Sequence, residues 1–310
     1  MSGGEEDHTV TAEDTGSRLD AFVSRSLRVS VGEARRRIAA GQVRVDGRRQ
    51  AKGAPVTTGA RVTIAAMTAP ALVPEGTGAV AFIHEDPSLI AIDKPAGMPS
   101  HPLRAGERGT AANAIVARHP ECAAASEDPR EGGLGHRLDT ATSGALVAAR
   151  DRATWVALRA ALGADDCQKR YQAEVWGQPP DEGRVALPIG RRGRHGGTVR
   201  LDGGRNPLPA ETRWRVLARG AETALVEALL HAGRAHQVRA HLAAAGFPIV
   251  GDDRYDDRYD DRHHQRGSDG PALRLHAAAV SFTHPVTGKP LTIEAPPPVW
   301  ARPERGSGGR

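Results

Sequence analysis

Residues 135–144 read Gly-His-Arg-Leu-Asp-Thr-Ala-Thr-Ser-Gly, and the apolar run Ala-Leu-Val-Ala-Ala follows at 145–149. A charged trio beside small turn residues indicates a loop that delivers Asp139 to the start of a buried strand. A lone carboxylate next to Arg137 in such a loop is a reasonable position for a nucleophile or a base. The residues alone favour the commoner alternative, an aspartate that hydrogen-bonds its own turn.

A second segment, residues 231–241, reads His-Ala-Gly-Arg-Ala-His-Gln-Val-Arg-Ala-His. A strand ends and a helix begins there, which puts Arg234 near a helix N-terminus, where anions are favoured. His236 and His241 are five residues apart and do not share a helical face as a metal pair would, so no zinc site is expected. The only two cysteines, Cys122 and Cys167, are far apart in the sequence and predict neither a disulfide framework nor a metal site.

The alternation of strand and helix patterns from residue 80 to about 295 predicts one large α/β domain (α+β mixed, with a mainly antiparallel sheet). The predicted helices are Thr110–Arg118, Ala153–Leu162 and Ala235–Ala245. The predicted strands are Val80–His84, Leu89–Asp93, Gly144–Ala149, Lys169–Val175, Arg213–Leu217, Ala224–Leu230, Leu273–Phe282 and Leu291–Glu294.

A small basic domain is predicted at residues 17–66, where eleven Lys/Arg stand against three Asp/Glu, although the whole chain has a net charge of only +5. Helices are expected at Arg18–Leu27 and from Ser30, which begins an S-x-x-E capping box. Strands are expected at 42–45 and 61–64, with an Asp46-Gly47 turn. The local excess predicts a phosphate-binding surface rather than a merely solvated face, with these candidates: Arg35, Arg36, Arg37, Arg44, Arg48 and Arg49.

The remaining segments are expected to lie outside the two domains. They are a disordered acidic tail at 1–16, a linker at 67–79 and a C-terminal tail at 303–310. The tandem repeat Asp-Asp-Arg-Tyr-Asp-Asp-Arg-Tyr-Asp-Asp-Arg at 252–262 predicts a lengthened polar surface loop. No run of about 18 apolar residues and no signal-peptide pattern is present, so a cytoplasmic protein is expected.

Together the motifs resemble the RluA-type pseudouridine synthases, whose HRLDxxTSG signature matches residues 136–144. Further matches run in family order over nearly all of residues 80–298: DKPAGMPSHP at 93–102, KRYQAEVWG at 169–177, GRAHQVR at 233–239, FPIVGD at 247–252 and LHA at 275–277. Residues 17–66 resemble the S4 RNA-binding module that often precedes this catalytic domain, in agreement with the charge count.

The resemblance implies an isomerase that breaks the N1–C1′ bond of uridine and reattaches the uracil through C5. It assigns Asp139 as the nucleophile, and leaves open whether sugar or base is attacked. It further implies that Arg234 is the cationic partner of Asp139, and that Tyr171 lies against the uracil and could remove the C5 proton. Arg137 would fill the gap in the RNA stack that an everted base leaves, and Leu275 would contact the base from below. No metal or other cofactor is required, because no atoms are gained or lost.

The expected partner is structured RNA, ribosomal more than transfer, and a monomer is expected. The chain departs from the family pattern at Ala235, at Ala240 and at 251–256, where a final glycine is absent and the repeat is inserted. The main alternative is a non-catalytic RNA-binding or ribosome-assembly protein that keeps the fold. A glycoside hydrolase is a second alternative, but it would need two carboxylates, and none accompanies Asp139 in sequence.

Overall fold

The computed structural model describes residues 5–302 except 28, 30, 66–71, 77, 79, 105, 192–198, 202–203, 232 and 257–271. The chain divides into two compact units, Met1–Ala69 and Pro70–Arg310. No helix in the described part of the chain is both long and apolar enough to cross a bilayer.

The first unit packs two helices on a three-stranded sheet. The helices are α1 (Leu19–Ser26) and α2 (Val31–Ala39), and the strands β1 (Glu5–Thr9), β2 (Val43–Val45) and β3 (Arg61–Ala65) form an antiparallel sheet in the order β1-β3-β2. Leu19, Phe22 and Val23 face Val62 and Ile64 in one core, because helical and strand spacings each put their apolar residues on one side.

The predicted N-terminal tail is wrong for residues 5–16. Glu5–Thr9 pair with β3 over five residues, a 3-10 turn follows at Ala12–Asp14, and Val10 is buried in the core of the unit. Arg61 and Thr63 of β3 both donate to the Asp7 carboxylate, so the acidity of the segment did not prevent strand formation. Ser30, the predicted cap of α2, lies outside the described residues.

The second unit is built on a nine-stranded sheet in the order β4-β5-β6-β14-β7-β13-β12-β8, with β15 paired to β14. All pairings are antiparallel except that of β6 with β14. The strands are β4 (Ala81–Glu85), β5 (Leu89–Lys94), β6 (Ser143–Ala149), β7 (Gln168–Trp176), β8 (Glu182–Val185), β12 (Thr212–Arg219), β13 (Thr223–Leu230), β14 (Leu275–Thr283) and β15 (Pro290–Glu294).

Three helices cover the sheet: α3 (Ala111–Arg118), α4 (Arg152–Ala161) and α5 (Gln237–Ala244). Strand β5, next to the edge strand β4, is apolar at successive positions because it is buried on both faces. Ile90 and Ile92 pack with residues of α3, whereas Leu89 and Ala91 pack with Trp155 and Leu158 of α4. A third cluster joins Val238 and Leu242 of α5 to strands β7 and β13.

Five short strands were missed from the sequence, and two residues assigned to the linker pack on the second unit. The strands are β1, β8, β9 (Ile189–Arg191), β10 (Val199–Arg200) and β11 (Arg205–Leu208), of which β9–β11 form a separate sheet in the order β10-β9-β11. The predicted linker is also shorter than expected, because Leu72 is buried in the second unit and Asn113 donates to the Val73 carbonyl.

The pairing of β6 with β14 leaves no room for a side chain at Gly144. This glycine has a φ of +116°, and a Cβ there would overlap the backbone carbonyl of Ala277. Ala277 in turn pairs with Tyr171 of β7, so the glycine sets the distance between strands that carry site residues.

We expect Gly144→Ala to lower the free energy of unfolding of the second unit by about 3 kcal/mol or more, since backbone must move on both strands. Gly246→Ala is the matched control: its φ is +88°, but nothing lies within 4 Å of its Cβ position. It should cost about 1–2 kcal/mol, the strain of a left-handed alanine. Denaturant titrations compare the two, and equal losses would contradict the steric explanation.

Candidate active site

All five residues that the resemblance assigned to the site line one cleft of about 540 Å³ in the second unit: Asp139, Tyr171, Arg234, Arg137 and Leu275. The strand order explains this, because β6, β14, β7 and β13 are consecutive neighbours. Asp139 precedes β6, Leu275 begins β14, Tyr171 lies on β7, and Arg234 follows β13. Residues far apart in sequence are therefore brought to neighbouring strands that line one cleft.

The loop that carries Asp139 is held on both sides by the segment after β5. The Ser100 hydroxyl donates to the Leu138 carbonyl at 2.8 Å and accepts from the Leu138 N–H at 3.0 Å. The buried Lys94 ammonium donates to the carbonyls of Thr140, Met98 and Pro95 at 3.2, 2.7 and 3.0 Å. Burial lowers the pKa of Lys94 to about 8, although Asp139 and Asp93 oppose that shift.

The Asp139 carboxylate is held by Arg239, whose Nη1 lies 3.3 Å from Oδ2. Arg239 is itself buried by α5 and bonded to the fully buried Asp252, with Nε–Oδ2 and Nη2–Oδ1 distances of 2.8 and 2.7 Å. Asp253 accepts a further bond from Nη2 at 3.0 Å. Burial acts to lower the pKa of Arg239, but Asp252 and Asp139 outweigh it and raise that pKa.

The expectation that Arg234 is the cationic partner of Asp139 is corrected by this geometry. Arg234 stands in the turn before α5 and directs its Nε toward the Pro209 carbonyl at 3.4 Å. Arg239 lies in the first turn of α5, and its guanidinium contacts the Asp139 carboxylate. The motif contains two arginines, and its local pattern gave no signal for choosing between them, because His236 precedes α5 with a left-handed backbone and the 236–239 spacing is not a helical one.

His236 supplies a second contact to Asp139, with 3.7 Å between its Nε2 and Oδ1. Its backbone has a φ of +54°, and its Nδ1 lies 2.9 Å from the Tyr255 hydroxyl. The Val199 N–H donates to that hydroxyl oxygen at 2.8 Å. Burial lowers the pKa of His236, so a neutral ring faces Asp139 near pH 7.

Asp252 and Tyr255 belong to the repeat that was expected to be a polar surface loop. That expectation is wrong for its first residues, because Asp252 is completely buried and Tyr255 packs over Arg239 at 5.5 Å. The remainder of the repeat, 257–262, lies outside the described residues.

Two further groups in the cleft are neutral near pH 7. Burial, together with the Asp139 charge, raises the pKa of Tyr171 well above its usual range. Burial and the charge of Lys169 lower the pKa of His136 to about 3, and its Nε2 accepts from the Val147 N–H at 3.1 Å. His136 therefore ties the loop to β6.

In the first unit, the exposed Arg35 also forms an ion pair with a buried carboxylate. Its Nε lies 2.7 Å from the buried carboxylate of Asp20, which Arg18 also contacts at 3.1 Å. The hydrogen bonds from Arg18, and then from Arg35, lower the pKa of Asp20 to about 2. The side chain of Arg36 lies outside the described part, and Arg37 has contacts of its own.

Three other predicted arginines of this unit are exposed: Arg44, Arg48 and Arg49. Arg44 donates to the Gly47 carbonyl at 3.1 Å. Among the residues that the structure describes, none of the three pairs with a carboxylate. Their charges are therefore available to an anionic partner.

This fold and cleft are those of an RNA-modifying isomerase: the chain belongs to the RNA pseudouridylate synthase family, whose model matches residues 88–244. A model of the S4 domain matches residues 17–62. The RluA-type resemblance and the fold class predicted from the motifs are confirmed, and the chain is an RNA pseudouridine synthase.

Among its relatives is an uncharacterized RNA pseudouridine synthase of Chloroflexus aurantiacus, 36% identical over 92% of this chain and 87% of that protein. Ribosomal large subunit pseudouridine synthase C of Escherichia coli is 33% identical over 93% of this chain and 91% of its own length. The solved structure of human RNA pseudouridylate synthase domain containing 1 shares the fold, with a TM-score of 0.56 and 24% identity over 73% of this chain and 86% of that one.

We expect Asp252→Asn to destabilise the second unit by about 3–5 kcal/mol, because it leaves the buried guanidinium of Arg239 without its main counter-charge. Asp253→Asn removes the adjacent carboxylate, which is 59% exposed, and should cost less than about 1 kcal/mol. Urea denaturation of both variants measures the difference. A similar loss for the two would mean that Asp252 is not the anchor.

Proposed function

We propose that this enzyme converts specific uridines of ribosomal RNA to pseudouridine, with Asp139 as its nucleophile. The observation that carries the proposal is a carboxylate held by a buried arginine in a cleft that also contains Tyr171 and Leu275. The name of the Escherichia coli relative supports a ribosomal substrate. Such a substrate would also agree with a cytoplasmic location.

The reaction needs an ionised carboxylate in a partly dry site. Burial by itself would favour the protonated acid, whereas an adjacent cation and hydrogen-bond donors favour the carboxylate. At Asp139 the adjacent cation is Arg239, which donates to Oδ2 at 3.3 Å, and the Asp139 side chain keeps 30% exposure. The proposed nucleophile is thus held by Arg239 on one side and open to the cleft on the other.

The uridine must leave its stack before its anomeric carbon can reach Asp139. Arg137 is exposed at the cleft beside Asp139 and makes no hydrogen bond or ion pair to any described residue. Its flat guanidinium suits the gap that an everted base leaves. The buried Leu275 and the ring of Tyr171 would then contact the uracil.

The raised pKa of Tyr171 bears on its proposed task. A phenol that stays protonated near pH 7 is a poor acceptor for the C5 proton, so contact with the uracil face is its better-supported role. The proton on C5 would leave only after the new C1′–C5 bond forms, and the nitrogen N1 gains one, so the uracil keeps its composition.

We expect Asp139→Asn to abolish pseudouridine formation while the protein stays folded and bound to RNA, because the amide keeps the shape and loses the charge. Pseudouridine mapping of ribosomal and transfer RNA from cells that express only the variant measures the effect. Asp166→Asn is the control, since Asp166 is exposed and bonds Thr283 away from the cleft. Turnover by Asp139→Asn comparable with that control would refute the assignment.

The same maps test the substrate. Loss of a pseudouridine from ribosomal RNA in cells that lack the enzyme supports the proposal, and loss from transfer RNA alone would replace it. Tight RNA binding without any modification would favour the non-catalytic alternative.

We expect the triple variant Arg44→Gln/Arg48→Gln/Arg49→Gln to weaken RNA binding and to reduce the salt slope by about 2–3, since each phosphate contact releases about 0.7–0.9 counterions. The matched triple Arg184→Gln/Arg213→Gln/Arg219→Gln removes the same charge from side chains that are already paired with Glu211 or Asp181. Fluorescence anisotropy over a salt series compares them. An equal slope for the two triples would mean that the first-unit arginines do not contact phosphate.

A further inference from the structure

One buried cation in the cleft is not used by the proposed chemistry. Lys169 lies on β7 two residues before Tyr171, so both side chains are on the same face, about 7 Å apart along the strand. Lys169 is only 9% exposed, and it lines the same cleft as Asp139. No hydrogen bond or ion pair joins its ammonium to a residue in the part of the chain that the structure describes.

The Lys169 ammonium lies near a second cation, Arg234. Burial lowers the pKa of Lys169, and the Arg234 charge lowers it further, against the opposing effect of Cys167. Burial and the Lys169 charge keep His136 neutral near pH 7. The absence of a side chain at Gly233 makes room for the Lys169 ammonium, because a Cβ on that residue would lie 3.2 Å from the Lys169 Nζ.

A buried charge without a partner costs folding free energy unless another group neutralises it. The fold supplies no such anion among the described residues, whereas the cleft opens the ammonium to a ligand. Arg234, half-buried at the same wall, adds a second cation with a geometry suited to phosphate oxygens. The separation from Tyr171 is comparable with the distance between the base and the phosphate of one nucleotide.

We propose that Lys169 and Arg234 form a phosphodiester-binding subsite for the RNA backbone next to the everted uridine. This inference rests on the proposed entry of a uridine into the cleft, and it gives Arg234 a function other than the one expected from the sequence. The subsite holds the nucleotide by its backbone while Asp139 acts at the sugar or base.

The test compares the binding of uridine 3′,5′-bisphosphate and of uridine to the full-length enzyme by calorimetric titration. Wild type should prefer the bisphosphate, and Lys169→Met should reduce that preference about tenfold, the effect of one charge-assisted contact. Lys169→Arg should restore most of it. Arg170→Met is the matched control, because Arg170 is the next residue on β7 and pairs with Glu227 and Glu294 on the other face.

Stability gives an independent readout. Lys169→Met should melt at the same temperature as wild type or higher, since it removes an unpaired buried charge; a structural lysine would do the reverse. An unchanged bisphosphate preference in Lys169→Met, an equal loss in Arg170→Met, or a clearly lower melting temperature of Lys169→Met would each overturn the subsite. None of these measurements depends on turnover, so a failure to modify ribosomal RNA would leave the subsite standing.

Discussion

The buried guanidinium of Arg239 is the contact on which the rest of the site depends. It joins Asp252, which has no exposed surface, to Asp139, which is 30% exposed and lines the cleft. Removing charges from water is costly, and the cost is recovered only when the geometry satisfies all partners. Asp252 satisfies the Nε and Nη2 of Arg239, so Nη1 remains directed at Asp139. The orientation of the Asp139 carboxylate is thereby fixed by a side chain buried behind it.

The sheet provides the frame that this contact needs. Among the described strands of this sheet, only β6 and β14 pair in parallel, and there Gly144 meets the backbone of Ala277. The close approach leaves one strand, β14, between the strand that follows the Asp139 loop and the strand of Tyr171. Lys94 and Ser100 then hold the backbone on either side of Asp139, so the loop is constrained by hydrogen bonds from a segment about 40 residues earlier. A flexible loop would not keep the carboxylate at a constant distance from its donors.

Much of this arrangement could be predicted from the sequence, and the failures have physical causes. Strand β6 was expected at Gly144–Ala149 and runs from Ser143 to Ala149, because an unbroken apolar run identifies a strand buried on both faces. Strand β8 has exposed and half-buried residues in alternation and no large apolar side chain except Val185, so periodicity did not distinguish it from a loop.

The choice between two arginines of one motif failed for a different reason. Sequence distance does not give the direction of a side chain, and Arg239 is placed by its partner Asp252, thirteen residues later across a turn. Lys169 was visible as part of a motif, but its isolation from carboxylates could be seen only in three dimensions. Interactions between distant elements were thus the part that local patterns could not supply.

The position of Asp252 and Tyr255 at the start of a tandem repeat has an evolutionary consequence. Each four-residue unit reads Asp-Asp-Arg-Tyr, so the deletion or duplication of one unit leaves the same four residues directly after Gly251. Replication slippage in the corresponding codons would therefore change the length of the segment without removing the anchor of Arg239. The repeat can therefore vary in length among descendants of this gene while Asp252 and Tyr255 keep their positions after Gly251.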